Sequence, residues 1–468
     1  MLSLPPTHFL NLPRPDPTVD SLLANFDPST LAAHDFDVDN RTGLMPPEPP
    51  LTRLPGIWGE HWETCLDTAL QSKLQLGDKL GLTNDEAAQS ERWRALVREL
   101  PVVPTTGLKH SEILLRRAHC ALTFLMHFYI HSLPPDIPVS IPRSLSIPLL
   151  QVSTQLQLPP VMTYSDTVVY NWELVRPHLL DATPKLDNLR SSVLFTGTTD
   201  EEEFYLSSAR IEFRGVEALE LMRATMDEVF VGDAIANRRI TTYLDRMTVI
   251  VGELTDLLTV LKTTCNPTIF YNDIRPWFRG VDSGYSNPIK NAWVFEGVGE
   301  AEYGGEGLEQ PTELSGPSAG QSAFIHSLDE FFSVDQTPDH SSSPTSHANP
   351  SMLHRMRKYM PRHHRAFLSH LAANPRPLRT LVMTSGDDKL KSAFNDAVGA
   401  LRKFRDAHMI IVALFIIGPA RKAQKARAEA LSKEGVEKTG EPLKGTGGTD
   451  LVKFLKHVRG QTSGALLE

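Results

Sequence analysis

The sequence predicts an all-α protein, and three observations carry that expectation. Apolar residues recur at intervals of three and four over several long stretches, the period of a helix that buries one face. Strand-like alternation is confined to short pieces such as Ile137, Val139 and Ile141. Prolines gather between the periodic stretches, chiefly in 1–60 and 133–160, where they punctuate helices rather than interrupt them. A proline-rich connection and an acidic run near residue 200 divide the 468 residues into two expected domains, 1–195 and 196–468.

Taken in order, residues 1–60 read as an extended, draped segment with helical turns near Ser21–Asn25. Helices are expected at Trp62–Leu80, Asn84–Arg98 and His110–His131. His127 and His131 stand one turn apart in the last of these, a spacing that can bind metal. Phe128 stands where a zinc-protease helix needs its glutamate, which favours two core histidines. Seven prolines between Leu133 and Pro160 forbid a long helix there, and a helix follows at Val161–Leu174. The acidic run Asp200–Glu203 suits a helix N-terminus.

Two long helices come next, Phe204–Phe230 and Ile235–Thr263, with Ser208 one turn after Phe204 on an otherwise apolar face. Behind Asn266-Pro267, Tyr271 and Arg275 lie one turn apart and follow Phe270. An aromatic wall beside a guanidinium suits an aromatic ligand with a carboxylate, and equally an ordinary cation–π pair. Residues 298–350 read as loops interrupted by a helix at Ser322–Phe332. The small residues of Ser318-Ala-Gly-Gln-Ser322 would let backbone approach a flat ligand closely. The basic run His354–Arg365 lacks interleaved aromatics and reads as a solvated helix face rather than a nucleic-acid site.

His408 sits in the most apolar stretch. Phe394, Ala397, Val398, Leu401, Phe404, His408, Ile411, Val412 and Phe415 form a helical stripe, and Met409–Ile417 is apolar throughout, so burial all round is expected. Ser385 with Asp388 can cap this helix, and Gly418-Pro419 is expected to end it. An imidazole so placed is either a satisfied core histidine or a ligand to a buried metal or haem iron. Beyond it, Ala420–Leu443 has little to bury and reads as a mobile arm or solvated helix. The glycines of 444–450 lack a phosphate loop's GK[ST] ending, yet their N–H groups could hold a carboxylate.

A hydrophobic content of 41%, a charged content of 22% and a net charge of −9 suit a soluble protein with no nucleic-acid partner. Three scattered cysteines exclude a zinc ribbon and a disulfide scaffold and fit a reducing compartment. No signal peptide is evident, the longest apolar run is too short for a bilayer, and a cytoplasmic monomer is expected. No internal repeat is present.

Seven motifs then occur in one order. They are Thr196-Gly197; Phe204-Tyr-Leu-Ser-Ser208; Asn266-Pro267 with Phe270, Tyr271 and Arg275; Ser318-Ala-Gly-Gln-Ser322; Arg357-Lys-Tyr-Met-Pro361; Leu401–His408; and Lys444-Gly-Thr-Gly-Gly-Thr-Asp-Leu451. Together they resemble the indoleamine 2,3-dioxygenase family from about Leu158 to Val458, with a looser match at Pro101–Gly107 and His119–Phe124. The resemblance implies a small helical domain on a larger one that holds haem b. It implies an oxidoreductase that opens the indole ring of L-tryptophan with O2 to give N-formyl-L-kynurenine, the first step of the kynurenine pathway. Both oxygen atoms enter the product, and an unidentified reductant keeps the iron ferrous.

By the same resemblance His408 is the proximal iron ligand, with Asp329 and Arg405 beside it. Tyr164, Thr167, Val168, Phe204, Ser208, Ser318 and Ala319 match distal-pocket positions. Phe270, Tyr271 and Arg275 match the aromatic contacts and the carboxylate-binding arginine, and Gly445 and Thr446 match a mobile loop at about 420–448 that closes over the substrate. Ser208, Phe270 and Arg275 are the expected catalytic set, with Phe204, Phe270 and Tyr271 sandwiching the ring. No histidine or carboxylate stands among the matched distal residues, unlike a peroxidase. Tyr271 departs from a common phenylalanine and Pro317 from a common glycine. Two rival readings are a haem protein of this fold acting on other indoles or as a haem or O2 sensor, and a helical interaction protein whose His408 is simply core.

Overall fold

The computed structural model describes residues 36–177, 184–283, 288–334, 355–373, 378–423, 425 and 451–467. Helices dominate it. The N-terminal half is built from α1 (Thr64–Ser72), α2 (Asn84–Glu99), α3 (Glu112–His131) and α4 (Arg143–Leu156). α2 starts on a complete capping box, in which Thr83 and Glu86 satisfy each other's backbone N–H. α3 is capped by Ser111 and is buried almost continuously from Arg117 to His131, so it forms the axis of this half. Two short strand pairs add little: β1 (Val139–Ile141) lies parallel to β4 (Trp293–Phe295), and β2 (Trp172–Leu174) runs antiparallel to β3 (Leu189–Ser191).

The C-terminal half comprises α5 (Thr199–Arg214), α6 (Val216–Val231), α7 (Ala234–Thr264), α8 (Ala323–Phe331), α9 (Arg362–Ala373), α10 (Leu378–Ser385), α11 (Asp388–Val412) and α12 (Leu451–Gly464). α11 packs mainly along α7, and α12 packs on α11. One large apolar cluster runs from Leu44 to Ala465 and draws on helices of both halves. A second, smaller cluster joins Tyr164, Val168 and Trp172 to Leu206, Ala209 and Phe213.

Several expectations need correction. The helix expected to run to Leu80 stops at Ser72, because Lys73 turns left-handed. The prolines after Leu133 do not forbid α4, which carries Pro148 within it; burial of most of its length offsets the lost hydrogen bond. Val161–Leu174 is no α-helix but a π-helical turn, Ser165–Val169, followed by β2. The helix expected at Phe204–Phe230 breaks at Gly215, where an added Cβ would lie 2.5 Å from the Phe324 ring. The basic run reaches acids and carbonyls instead of facing solvent alone: Arg357 binds Glu330, Arg362 binds Glu112, and Arg365 donates to the carbonyls of Gln157, Lys358 and Met360.

Two further corrections concern α11. Its cap is Asp387, which accepts from the N–H groups of Lys389 and Leu390, while Ser385 accepts only from Asp387 N. Gly418-Pro419 does not end it either. A π-helical turn at Ala413–Ile417 leads into further helix through Ala423, and Gly418 keeps right-handed helical angles. The wider turn shifts the hydrogen-bond register just ahead of the proline. The segment is also not buried all round, since Ile410 and Leu414 are about half exposed at 50% and 46%.

Candidate active site

α11 is capped, amphipathic and held against α7, which fixes where its side chains point. Phe404, Arg405, Ile411, Val412 and Phe415 are buried, and His408 between them is half-buried. Burial, with the Arg405 guanidinium one turn away, pushes the imidazole down to about 4, so it is neutral at pH 7. Among the described residues neither of its ring nitrogens makes a hydrogen bond. His364 on α9 is also pushed down to about 4 with Nε2 unbonded among the described residues, but it is fully buried, whereas His408 keeps a partly exposed edge. His127 donates from Nδ1 to the carbonyl of Trp277 at 2.8 Å and accepts from Met162 N, so it is a satisfied core residue, as expected. No group of three metal-binding side chains occurs among the described residues.

Arg405 ties the ring-bearing helix to two others. It pairs with Asp329 near the end of α8 and donates to Thr462 Oγ1 in α12. Asp329 and Arg405 are both buried, so the pair is rigid. The other end of α8 begins at Ser322, whose Oγ caps Ile325 N. Seven residues of helix, about 10 Å, therefore connect the His408 side of the site to the Ser318 side.

On that second side the Ser318-Ala-Gly-Gln-Ser322 run forms a tight turn. Ser318 Oγ accepts from Gly320 N, Ser318 is half-buried and Ala319 is exposed. Gln321 is buried and stitches the turn to its neighbours, accepting from Tyr164 N at 2.8 Å and donating to Gly316 O at 3.0 Å. The Tyr164 phenol is buried and donates to Glu212 Oε1 at 2.9 Å. Burial and the Glu212 carboxylate push that phenol well up, so it stays neutral. Thr167 turns its hydroxyl back to the carbonyls of Thr163 and Tyr164, and Val168 packs in the smaller apolar cluster.

The aromatic residues form one continuous wall. Phe204 and Phe270 lie 4.4 Å apart between ring centroids, and Phe270 meets Phe415 edge-on at 5.6 Å. At that separation Phe204 and Phe270 touch each other, so they line one side of the site rather than sandwich a ring between them. Phe270 opens a π-helical turn, Phe270–Ile274, anchored by Asn266, which accepts from Thr268 N and Ile269 N. Arg275 follows and is buried at 5% exposure, with its guanidinium 5.8 Å from the Tyr271 ring centre. Burial and the nearby Arg279 push it down to about 10, and it remains a cation at neutral pH. Gly445 and Thr446, with most of 420–448, lie outside the described residues.

Comparison with known proteins decides the family. The family model described as Indoleamine 2,3-dioxygenase matches residues 32–465. The chain belongs to the indoleamine 2,3-dioxygenase family. It is 28% identical to indoleamine 2,3-dioxygenase 2 of Mus musculus over 433 residues, covering 92% of this chain and 95% of that protein. It is 29% identical to 6-hydroxytryptophan 2,3-dioxygenase of Fusarium equiseti, covering 94% and 98%. It is also 29% identical to indoleamine 2,3-dioxygenase of Saccharomyces cerevisiae, covering 83% and 90%. Membership makes it an oxidoreductase of the dioxygenase class acting on tryptophan or a related indole. No helix among the described residues is long and apolar enough to cross a membrane.

Three parts of this candidate site escaped the sequence reading. Glu212 follows Ser208 by one turn on α5 and is buried against Tyr164 and Ser322. His119 Nδ1 contacts Asp166 at 2.7 Å, and Asp166 also accepts from the N–H and hydroxyl of Thr163, which fixes the turn bearing Tyr164. Gln321 sits inside a recognised motif, but its bond to Tyr164 joins positions far apart in sequence. Only Glu212 left a local signal, a carboxylate at helical spacing from Phe204 and Ser208 on the buried stripe.

Proposed function

We propose that this protein is a haem-dependent dioxygenase that opens the indole ring of L-tryptophan with O2 to give N-formyl-L-kynurenine. The observation that carries the reading is His408: a neutral imidazole without a hydrogen bond among the described residues, on a helix pinned by Arg405 to Asp329 and Thr462. Such a donor fits a haem iron, and a half-buried ring beside fully buried neighbours fits an edge that a planar group covers. Haem b bound there would supply the ferrous iron that activates O2.

The chain's own residues then position and exclude. Arg275 takes the substrate carboxylate, which relieves the cost of a buried guanidinium beside Arg279. Phe204 and Phe270 present the aromatic wall to the indole, and Tyr271 flanks Arg275. Ser208, Tyr164, Ser318 and Ala319 bound the O2 side, with Asp329 and Arg405 orienting the iron ligand. Gly445 and Thr446, which the resemblance matches to substrate contacts, lie outside the described residues.

The Soret band tests this directly. Haem-loaded wild type should show one, and His408→Ala should lose it or show a changed axial-ligand spectrum. An unchanged spectrum in His408→Ala would end the assignment. A second reading, turnover of a ring-substituted indole, draws on the half-buried Tyr271 phenol beside Arg275 and on the printed name of the Fusarium relative. Comparing kcat/KM for L-tryptophan and 6-hydroxytryptophan separates the two.

A further inference from the structure

We propose that Glu212 is a positioning residue that orients the hydroxyls of Tyr164 and Ser322 in the site and changes their hydrogen-bond directions when it takes up a proton. The proposal rests on the site assignment above.

Glu212 is 3% exposed, and its Oε1 accepts from Tyr164 OH at 2.9 Å and from Ser322 Oγ at 2.7 Å. Other buried carboxylates nearby are held differently. Asp329 has the Arg405 cation, and Glu201 accepts backbone N–H groups from Phe195 and Thr196. A guanidinium or backbone N–H can only donate, so those carboxylates are locked as acceptors. Among the described residues Glu212 is held by hydroxyls alone, and a hydroxyl donates or accepts as its surroundings require. Burial pushes the carboxyl up and the two hydroxyls draw it back only part of the way, leaving it at about 7.

Among the described residues no charged group competes for this carboxylate. On its own helix, Arg210 pairs with Glu203 and Arg214 with Glu253 and Glu217. On the turn bearing Tyr164, Asp166 is held by His119 and Thr163. At the start of α8 the remaining titratable group is His326, whose Nε2 contacts Gly320 O at 2.9 Å. The Tyr164 phenol does not ionise near neutral pH.

The consequence runs through Tyr164. With Glu212 ionised, Tyr164 and Ser322 both donate to it, and the Tyr164 oxygen turns its lone pairs elsewhere. With Glu212 protonated, one of the two hydroxyls must accept from the carboxyl, and Tyr164 is released to donate into the site. KM for an indole bearing its N–H should therefore differ between the two forms by roughly two- to tenfold, the worth of one neutral hydrogen bond.

The test is the pH dependence of the haem-loaded enzyme read two ways, as KM for L-tryptophan and as the infrared C=O stretch of a protonated carboxyl. Wild type should titrate in both with a midpoint near the value of about 7 set by burial. Glu212→Gln should remove the infrared band and flatten KM near the acidic limit of wild type. Tyr164→Phe removes a donor that favours the ionised form, so its infrared midpoint should move upward; this carries the test if Glu212→Gln does not fold. An infrared titration identical in wild type, Glu212→Gln and Tyr164→Phe would overturn the proposal. A titrating Glu212 band in protein that never turns over tryptophan would leave the cluster standing and remove the proposed function instead.

Discussion

Arg275 shows how one residue can be legible in sequence and still need a structure to weigh it. Its spacing from Tyr271 allowed two readings, a carboxylate clamp or a surface cation–π pair. The structure shows the cation–π contact, yet buries the guanidinium at 5% exposure, where a surface pair would not be. If Arg275 binds the substrate carboxylate, Arg275→Leu should raise KM for L-tryptophan roughly ten- to a hundredfold, the worth of a charge-assisted pair. Arg275→Lys should recover only part, and the leucine variant should lose its preference for tryptophan over indoles lacking the carboxylate. Equal kcat/KM in wild type and Arg275→Leu at full haem content would assign the residue to structure. His408 was likewise legible because helix period and apolar context are local. Glu212 was not, because what makes it notable is its contact with Tyr164 and Ser322, 48 and 110 residues away.

At the scale of elements, helix existence was legible and helix ends were less so. α2, α3 and α7 follow their expected spans closely because their caps, Thr83, Ser111 and Asp233, are local chemistry. The break at Gly215 and the continuation of helix past Pro419 depend on tertiary packing and on a π-helical turn, neither of which the apolar period reports. Gly215→Ala should destabilise the fold by about 1–3 kcal/mol, since its methyl would overlap the Phe324 ring; chemical denaturation measures this. The turn that bears Tyr164 makes a pH prediction. Burial alone would lower the His119 pKa, but the Asp166 carboxylate and the Pro159 carbonyl outweigh it, and the net direction is upward. A raised folded-state pKa gives stability that is complete below the unfolded value of about 6.5 and is lost as pH rises through the folded value. The stability gap between wild type and His119→Gln should therefore be widest in mild acid and shrink as pH rises through the folded-state value. A gap that widened with rising pH would contradict the charged pair.

At the scale of the molecule, the C-terminal residues fasten onto α11. Arg405 reaches Thr462, Asp406 pairs with Arg459, and Asn395 exchanges two hydrogen bonds with the backbone of Leu467, at 2.9 and 2.8 Å. Asn395→Ala should cost about 1–2 kcal/mol in stability while leaving haem content unchanged, as checked by denaturation and by the Soret absorbance. The order of motifs made this arrangement readable at family level, whereas the bonds that fasten α12 to α11 join positions with no shared sequence signal. The central claim, that this assembly inserts dioxygen into an indole, is tested most directly with isotopically labelled O2, haem-loaded protein, reductant and L-tryptophan. The account predicts N-formyl-L-kynurenine carrying both labelled oxygen atoms, and a product carrying only one, or no ring-opened product at full haem occupancy, would contradict it.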